Sequence, residues 1–172
     1  MEGPRQSGWT LVELLGTCAV VIILAVLSLH TLPLLVEHQQ RITLAEDLAQ
    51  SLKSARLEAI LRSQRVVLKP LEGGWSAGWQ VLMPGEQQSP PLREALGIPS
   101  VRVVPTRNVQ EQVAFDYLGR PALENNGALA ASFHFCDARN PERHRRVIIA
   151  RTGRVRISTA PPATVLCQGP LS

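Results

Sequence analysis

GWTLVELLGTCAVVIILAVLSLHTLPLLV, residues 8–36, is the stretch on which the reading of the chain turns. From Leu14 to Val36 it runs for 23 residues with no formal charge apart from whatever His30 carries. About 20 apolar residues rising about 1.5 Å each cross a bilayer core, so the run predicts one transmembrane helix. A secretory signal peptide places its cleavage site beyond the apolar run. Here a short polar leader, Met1 to Gly8, comes first, and Glu13 stands at the mouth of the run. A carboxylate carried to the bilayer centre costs about 2.5–3.5 kcal/mol. Glu13 therefore either has a cationic partner or stays hydrated at headgroup level. Pro33 removes a backbone donor and is expected to kink or locally melt the helix. Cys18 and His30 have no second ligand three or four residues away, so both read as packing residues.

Beyond Val36 the pattern becomes amphipathic. Ile42, Ala45, Leu48, Ala49, Leu52, Ala55, Ala59 and Ile60 recur at steps of three and four among Gln, Asp, Lys and Arg, which is a helical period. Glu58 and Arg62 form a favourable i,i+4 pair. One helix is predicted from about Trp9 to Gln64. Downstream the period shortens to two and turn residues multiply, as in an antiparallel β domain. Predicted strands are Arg65–Lys69, Gly78–Met83, Val101–Val104, Val113–Tyr117, Ala131–Cys136, Arg145–Arg151 and Arg154–Ser158. Gly73-Gly74, Gly119, Asn125-Asn126-Gly127 and Thr152-Gly153 punctuate them. Gly85 to Pro99, with Pro90-Pro91, reads as a loop, and Pro161-Pro162 opens the last segment.

The whole chain of 172 residues is 45% hydrophobic, 19% charged and 4% aromatic. Once the apolar run is set aside, the remainder suffices for an extended helix and one small domain. That excludes a large multidomain enzyme. No nucleophile elbow, phosphate loop or paired-carboxylate motif occurs, and His134 and His144 lack partners at metal-site spacing. Neither an enzyme, a metal nor a cofactor is expected. Trp75, Trp79, Phe115, Phe133 and Phe135 are either core residues at alternating strand positions or stacking platforms for bases; core is the commoner outcome. Cys136 and Cys167 remain after Cys18 is assigned to the apolar helix. In an exported domain they form a disulfide closing a loop of about 30 residues, worth roughly 3 to 4 kcal/mol. Otherwise they are two free buried thiols.

Charge is concentrated. Arginines 139, 143, 145, 146, 151, 154 and 156 face the single acid Glu142 in one block, while the whole chain carries only +4. Such a block points to a specific anionic partner. With Thr152-Gly153 as a two-residue hairpin loop, Arg151 faces Arg154 and Ile149 faces Arg156. Arg151, Arg154 and Arg156 then project from one face, and Ile148, Ala150, Val155 and Ile157 seal the other. Directly opposed like charges destabilise a bare hairpin, so an anion is expected to compensate them. Guanidinium groups suit phosphate oxygens, which would give DNA binding by counterion release with little base readout. The same pattern also fits a solvated arginine face, or contacts to acidic side chains of neighbouring subunits.

Gly8-Trp9-Thr10-Leu11-Val12-Glu13 resembles the prepilin processing site of type IV pilins and type II secretion pseudopilins. Four further stretches are similar to the GspH/FimT family of minor pilins. They are Ser54-Ala55-Arg56-Leu57-Glu58-Ala59-Ile60, Gly78-Trp79, Phe115-Asp116-Tyr117-Leu118-Gly119-Arg120, and Arg151-Thr152-Gly153-Arg154-Val155-Arg156. The resemblance implies cleavage by prepilin peptidase after Gly8 and methylation of Trp9, which replaces the usual phenylalanine. It also implies a role for Glu13 in pairing with the terminal ammonium of an assembled neighbour. Gly153-Arg154-Val155-Arg156 resembles the Gly-Arg-x-Arg motif by which FimT-type pilins bind DNA. Carried over, Arg154 and Arg156 contact phosphate, Gly153 makes the turn, and Arg151, Arg145 and Arg146 assist.

These readings together predict the α+β type IV pilin fold, a long N-terminal helix packed on a small antiparallel β-sheet domain. The expected divisions are a leader over 1–8, a transmembrane half-helix over 9–36, a periplasmic half-helix over 37–64 and a β-rich domain over 65–172. The expected function is that of an inner-membrane minor pilin with its C-terminal domain in the periplasm. It would join a pilus with other pilins and capture double-stranded DNA for uptake in natural transformation. The rivals are a structural minor pilin for pilus assembly or tip, and a type II secretion pseudopilin, neither binding DNA.

Overall fold

The computed structural model of the chain describes residues 11–85, 90–122, 129–136, 144–160 and 167, the side chains of 27–35 excepted. The chain divides into two compact units, Met1–Val36 and Glu37–Ser172. One helix, α1, runs Leu11–Arg62. Its backbone stays helical through Pro33, so the expected local melting does not occur. Glu13 lies in its first turn. Residues 11–26 are exposed throughout. Among the described residues no helix is long and apolar enough to cross a membrane. Part of the expected span, 27–35, lies outside the described side chains, as do Gly8 and Trp9 outside the described residues.

In the second unit no Gly or Pro interrupts α1, and Arg62 Nε meets Glu58 Oε2 at 2.7 Å as the i,i+4 spacing predicts. Leu44, Ala45, Leu48, Ala49, Leu52, Ala55 and Ala59 are buried and form one face. The alanines keep that face low, which leaves room over it for bulky side chains from the sheets. The helix ends in a Schellman arrangement. Gln64 N–H donates to Ala59 O and Ser63 N–H to Ile60 O, both at 3.2 Å, with Ser63 in the left-handed region at φ 51°.

Among the described residues nine strands follow: β1 Val66–Leu71, β2 Gly74–Leu82, β3 Arg93–Leu96, β4 Arg102–Pro105, β5 Val113–Phe115, β6 Pro121–Ala122, β7 Ala131–Cys136, β8 Arg145–Ile149 and β9 Val155–Ser158. They form two antiparallel sheets, ordered β3-β2-β1-β5-β6 and β4-β7-β8-β9. The stretch expected to be a loop, Gly85 to Pro99, contains β3, which pairs with β2 from Gly78↔Leu96 to Val81↔Arg93. Arg93-Glu94-Ala95-Leu96 is made of helix-favouring residues, and backbone pairing with β2 overrides that preference. The two-residue β6 also went unpredicted, while Ala131–Cys136 falls where it was expected.

Helix and sheets share one core. Trp79, Phe115, Phe133 and Phe135 are fully buried in it, and Trp75 meets Phe133 edge-on at a centroid separation of 4.7 Å. The aromatics are core residues, not stacking platforms. Cys136 and Cys167 are joined in a disulfide, which fastens residue 167 to the end of β7.

Beside that bond lies a buried imidazole pair. His134 Nδ1 and His144 Nε2 are 3.2 Å apart, and His144 Nδ1 lies 3.9 Å from Cys167 Sγ. Burial, then the charges of His144 and Arg146, push His134 down to about 4; burial, then Arg146 and Arg145, lower His144 as well. A histidine depressed in the folded state is protonated first in the unfolded chain, so protonation drives unfolding. Its stabilisation is complete above about pH 6.5 and is lost as pH falls toward 4. The two rings share one hydrogen bond, so the loss across that window belongs to the pair and not to His134 alone. Urea unfolding at pH 7, 5.5 and 4.5 should show the loss, and His134→Gln should flatten it. Ser63→Gly should raise stability by about 1 kcal/mol in the same assay, because glycine removes the left-handed penalty at the helix end.

Candidate nucleic-acid interface

Strands β8 and β9 form the outer hairpin of the second sheet. Their register is Arg146↔Ser158, Val147↔Ile157, Ile148↔Arg156 and Ile149↔Val155. Ala150 N–H donates to Arg154 O at 2.9 Å and Gly153 N–H to Ala150 O at 2.8 Å. The loop is therefore Arg151-Thr152-Gly153, three residues with Gly153 left-handed at φ 79°. This is the three-residue hairpin loop whose last position favours glycine.

The two-residue loop expected from the sequence is thus incorrect by one position. Arg154 lies opposite Ala150 and Arg156 opposite Ile148, so neither faces another cation. Ile148 and Ala150 share the face of the arginines. Val147 and Ile149 take the core side with Val155 and Ile157, and Val147 and Ile149 are fully buried. The repulsion that was expected to call for an anion is absent at these pairs. What survives is the alternation: Arg154 and Arg156 still project from one face, both exposed. Among the described residues neither has an ion-pair partner. Arg151 is exposed in the loop itself.

The assisting residues divide. Arg146 is on the same face as Arg156 but half-buried, its Nε enclosed and, among the described residues, without a hydrogen-bond partner. Arg145 points to the opposite face, and its Nη1 donates to His144 O at 3.1 Å. Arg139 and Arg143 lie outside the described residues.

Gly153 is buried, unlike its neighbours in the loop. A Cβ there would collide with the Gly119 carbonyl oxygen and approach Arg56 Nε to 2.9 Å. Arg56, on α1, donates from Nε to that same carbonyl at 2.9 Å. Gly119 belongs to a turn closed by Asp116. Gly119 N–H donates to Asp116 O at 2.8 Å, and Asp116 Oδ1 accepts from Leu118 N–H at 3.0 Å and Arg120 N–H at 2.8 Å. Arg120 Nε completes the turn on Asp116 Oδ2 at 3.0 Å. Burial alone would raise the Asp116 carboxyl. Hydrogen bonds from the Arg120 backbone and side chain, the Arg120 charge and the Leu118 N–H outweigh it and hold the group below its ordinary value.

Helix, turn and hairpin therefore meet at Arg56, Gly119 and Gly153. Sequence reasoning picked out all three stretches by their family resemblance but assigned no positioning role to Arg56, Asp116 or Gly119. Their meeting is a tertiary fact that no spacing along the chain signals. Among the described residues no group of three His, Cys, Asp or Glu side chains is placed to hold a metal ion.

The family model described as type II transport protein GspH matches residues 44–153. The match starts at the first buried leucine of the α1 packing face and stops at Gly153, just short of Arg154 and Arg156. Two crystal structures of the type IV minor pilin FimU from Pseudomonas aeruginosa are similar in fold. In space group P65 the identity is 21% with a TM-score of 0.60, covering 71% of this chain and 97% of that one. In space group P21 the values are 20%, 0.62, 74% and 96%. No curated protein matches the chain.

Gly153→Ala combines a left-handed backbone with a collision against backbone, and should lower unfolding free energy by about 2 kcal/mol or more in urea titrations. Thr152→Ala, at the exposed loop position beside it, should change stability by under about 0.5 kcal/mol.

Proposed function

Because the chain belongs to the family of type II transport protein GspH, we propose that this minor pilin or pseudopilin is a type IV pilus subunit that captures DNA on its β8–β9 hairpin. Association with other pilins or pseudopilins follows from family membership. In the proposed reading prepilin peptidase cuts after Gly8 and Trp9 is methylated. Leu14 to Val36 anchors the subunit in the inner membrane, and Glu13 pairs with the terminus of a neighbour. The β domain stands in the periplasm until assembly. The role is noncatalytic: DNA is held while the filament draws it inward.

The observation that carries the DNA reading is the exposure of Arg154 and Arg156 side by side on a hairpin whose loop is pinned to the helix. Such groups keep their charge at neutral pH and offer paired donors to phosphate oxygens. Pinning matters because an ordered donor loses less freedom when it binds. Two to four phosphate contacts give weak affinity, so useful retention requires several contacts along one DNA or several subunits acting together.

One observation favours the structural rival. The family match ends at Gly153, so the arginine pair lies beyond what GspH proteins share in that match. In that reading the subunit serves pilus assembly or a secretion pseudopilus, and Arg154 and Arg156 meet acidic side chains of neighbouring subunits.

A mobility shift with the full chain in nonionic detergent, titrated across salt, separates the two. DNA capture predicts binding to duplexes of unrelated sequence that weakens steeply with salt. Arg154→Gln/Arg156→Gln should lower the slope of log K against log salt by about 2, near one per lost contact. Binding unchanged in that double variant would reject the hairpin assignment, and no binding by the wild type at low salt would leave the structural role.

A further inference from the structure

The hairpin is one part of a longer basic surface. Two grooves border the Asp116–Arg120 turn. The first, about 480 Å³, lies between α1 and the hairpin and is lined by Lys53, Arg56, Ile60, Gly153 and Arg154 among others. The second, about 290 Å³, is lined by Arg65, Asp116, Tyr117, Arg120 and Ala122. Gly119, in the middle of the turn, packs on Arg56, Ile60 and Gly153 of the first groove, so the turn connects the two.

The charges in these grooves are not all available. Arg120 is committed to Asp116, and that pair neutralises itself. Arg56 spends its Nε on the Gly119 carbonyl. Glu58, the acid nearest in sequence to Arg56, is occupied by Arg62. Beside Arg154, and Arg56, whose charge the carbonyl bond leaves in place, each groove holds one further cation. Lys53 is exposed on α1 and Arg65 is half-buried just past the helix end. Among the described residues neither has an ion-pair partner.

The geometry points to a phosphate track that starts at Arg154 and Arg156, passes Lys53 in the first groove and continues over the Asp116–Arg120 turn to Arg65 in the second. Lys53 and Arg65 are thereby assigned as DNA-contacting residues outside the arginine block. This inference rests on the DNA reading of the hairpin and extends it. The ligand is a polyanion with charges repeated along a chain, because the cations are divided between two grooves and the exposed hairpin. A single phosphate or carboxylate would engage one groove at most.

Two consequences follow from counterion release. Each true phosphate contact adds about 0.9 to the salt slope, so Lys53 and Arg65 together contribute as much as the hairpin pair. Both should also act uniformly across DNA sequences, since phosphate contacts carry no base information.

The test is the salt titration of the full chain in nonionic detergent, with a fluorescent duplex of arbitrary sequence and four variants. Lys53→Gln should lower the slope by about 1 and Lys53→Gln/Arg65→Gln by about 2. Lys69→Gln, exposed on β1 and lining neither groove, should leave it unchanged. Arg154→Gln/Arg156→Gln reports on the hairpin separately. Lys53→Gln on an exposed helical position keeps the fold, so it decides the matter even if the half-buried Arg65 proves necessary for stability. A wild-type slope in both groove variants, with binding weakened in Arg154→Gln/Arg156→Gln, overturns the track and leaves the hairpin standing. Loss of slope in Lys69→Gln equal to that in Lys53→Gln overturns it too, because the effect is then one of net charge. No wild-type binding at low salt overturns both readings.

Discussion

The Arg56 guanidinium holds three separate parts of the chain in register. It leaves the helix on the side of the β domain, donates to the Gly119 carbonyl and lies against the bare backbone of Gly153. A charged donor on a partly buried carbonyl is worth about 1.5–3 kcal/mol, more than an ordinary neutral hydrogen bond. Its effect on function is positional. A hairpin tip is normally the most mobile part of a sheet, and this one is backed by the helix through two glycines that let backbone meet backbone. Side chains leaving the tip therefore start from a fixed base.

That arrangement also explains how a low helix face and an exposed basic surface coexist. Alanines at 45, 49, 55 and 59 leave room on α1 for the large side chains of Trp79, Phe115, Phe133 and Phe135, which share its core. The core consumes the apolar residues of the helix on one side. Lys53 and Arg56 fall beyond the edge of that face, where α1 borders the hairpin. The disulfide and the buried histidine pair secure the far end of the second sheet, at β7 and the start of β8, leaving the tip to the Arg56 clamp.

Much of this was legible in the sequence and some was not. The helical period from Ile42 to Ile60 and the strand Ala131–Cys136 were clear because each repeats with one period and buries one face. The Cys136–Cys167 bond was legible from residue counting and the expected export of the domain. Strand β3 was hidden by Arg93-Glu94-Ala95-Leu96, whose residues carry no strand preference and follow two prolines. The hairpin was misread by one residue because Thr-Gly looks like a complete loop, and only the position of the left-handed glycine distinguishes two residues from three. That slip exchanged the partners of every residue in β8 while leaving Arg154 and Arg156 on a common face. The contact of Arg56 with Gly119 and Gly153 joins positions some sixty and a hundred residues apart, and no local pattern encodes such a meeting.

Strand β9 is the last in the order β4-β7-β8-β9, so among the described strands its outer rim of amide and carbonyl groups faces no neighbour. An open rim of this kind invites another chain to add a strand, and bulky positive side chains are a common safeguard against it. Arg154, just before β9, and Arg156 within it stand at that border, next to the exposed Ile157. The residues that would greet a polyanion are thus also a guard against self-association.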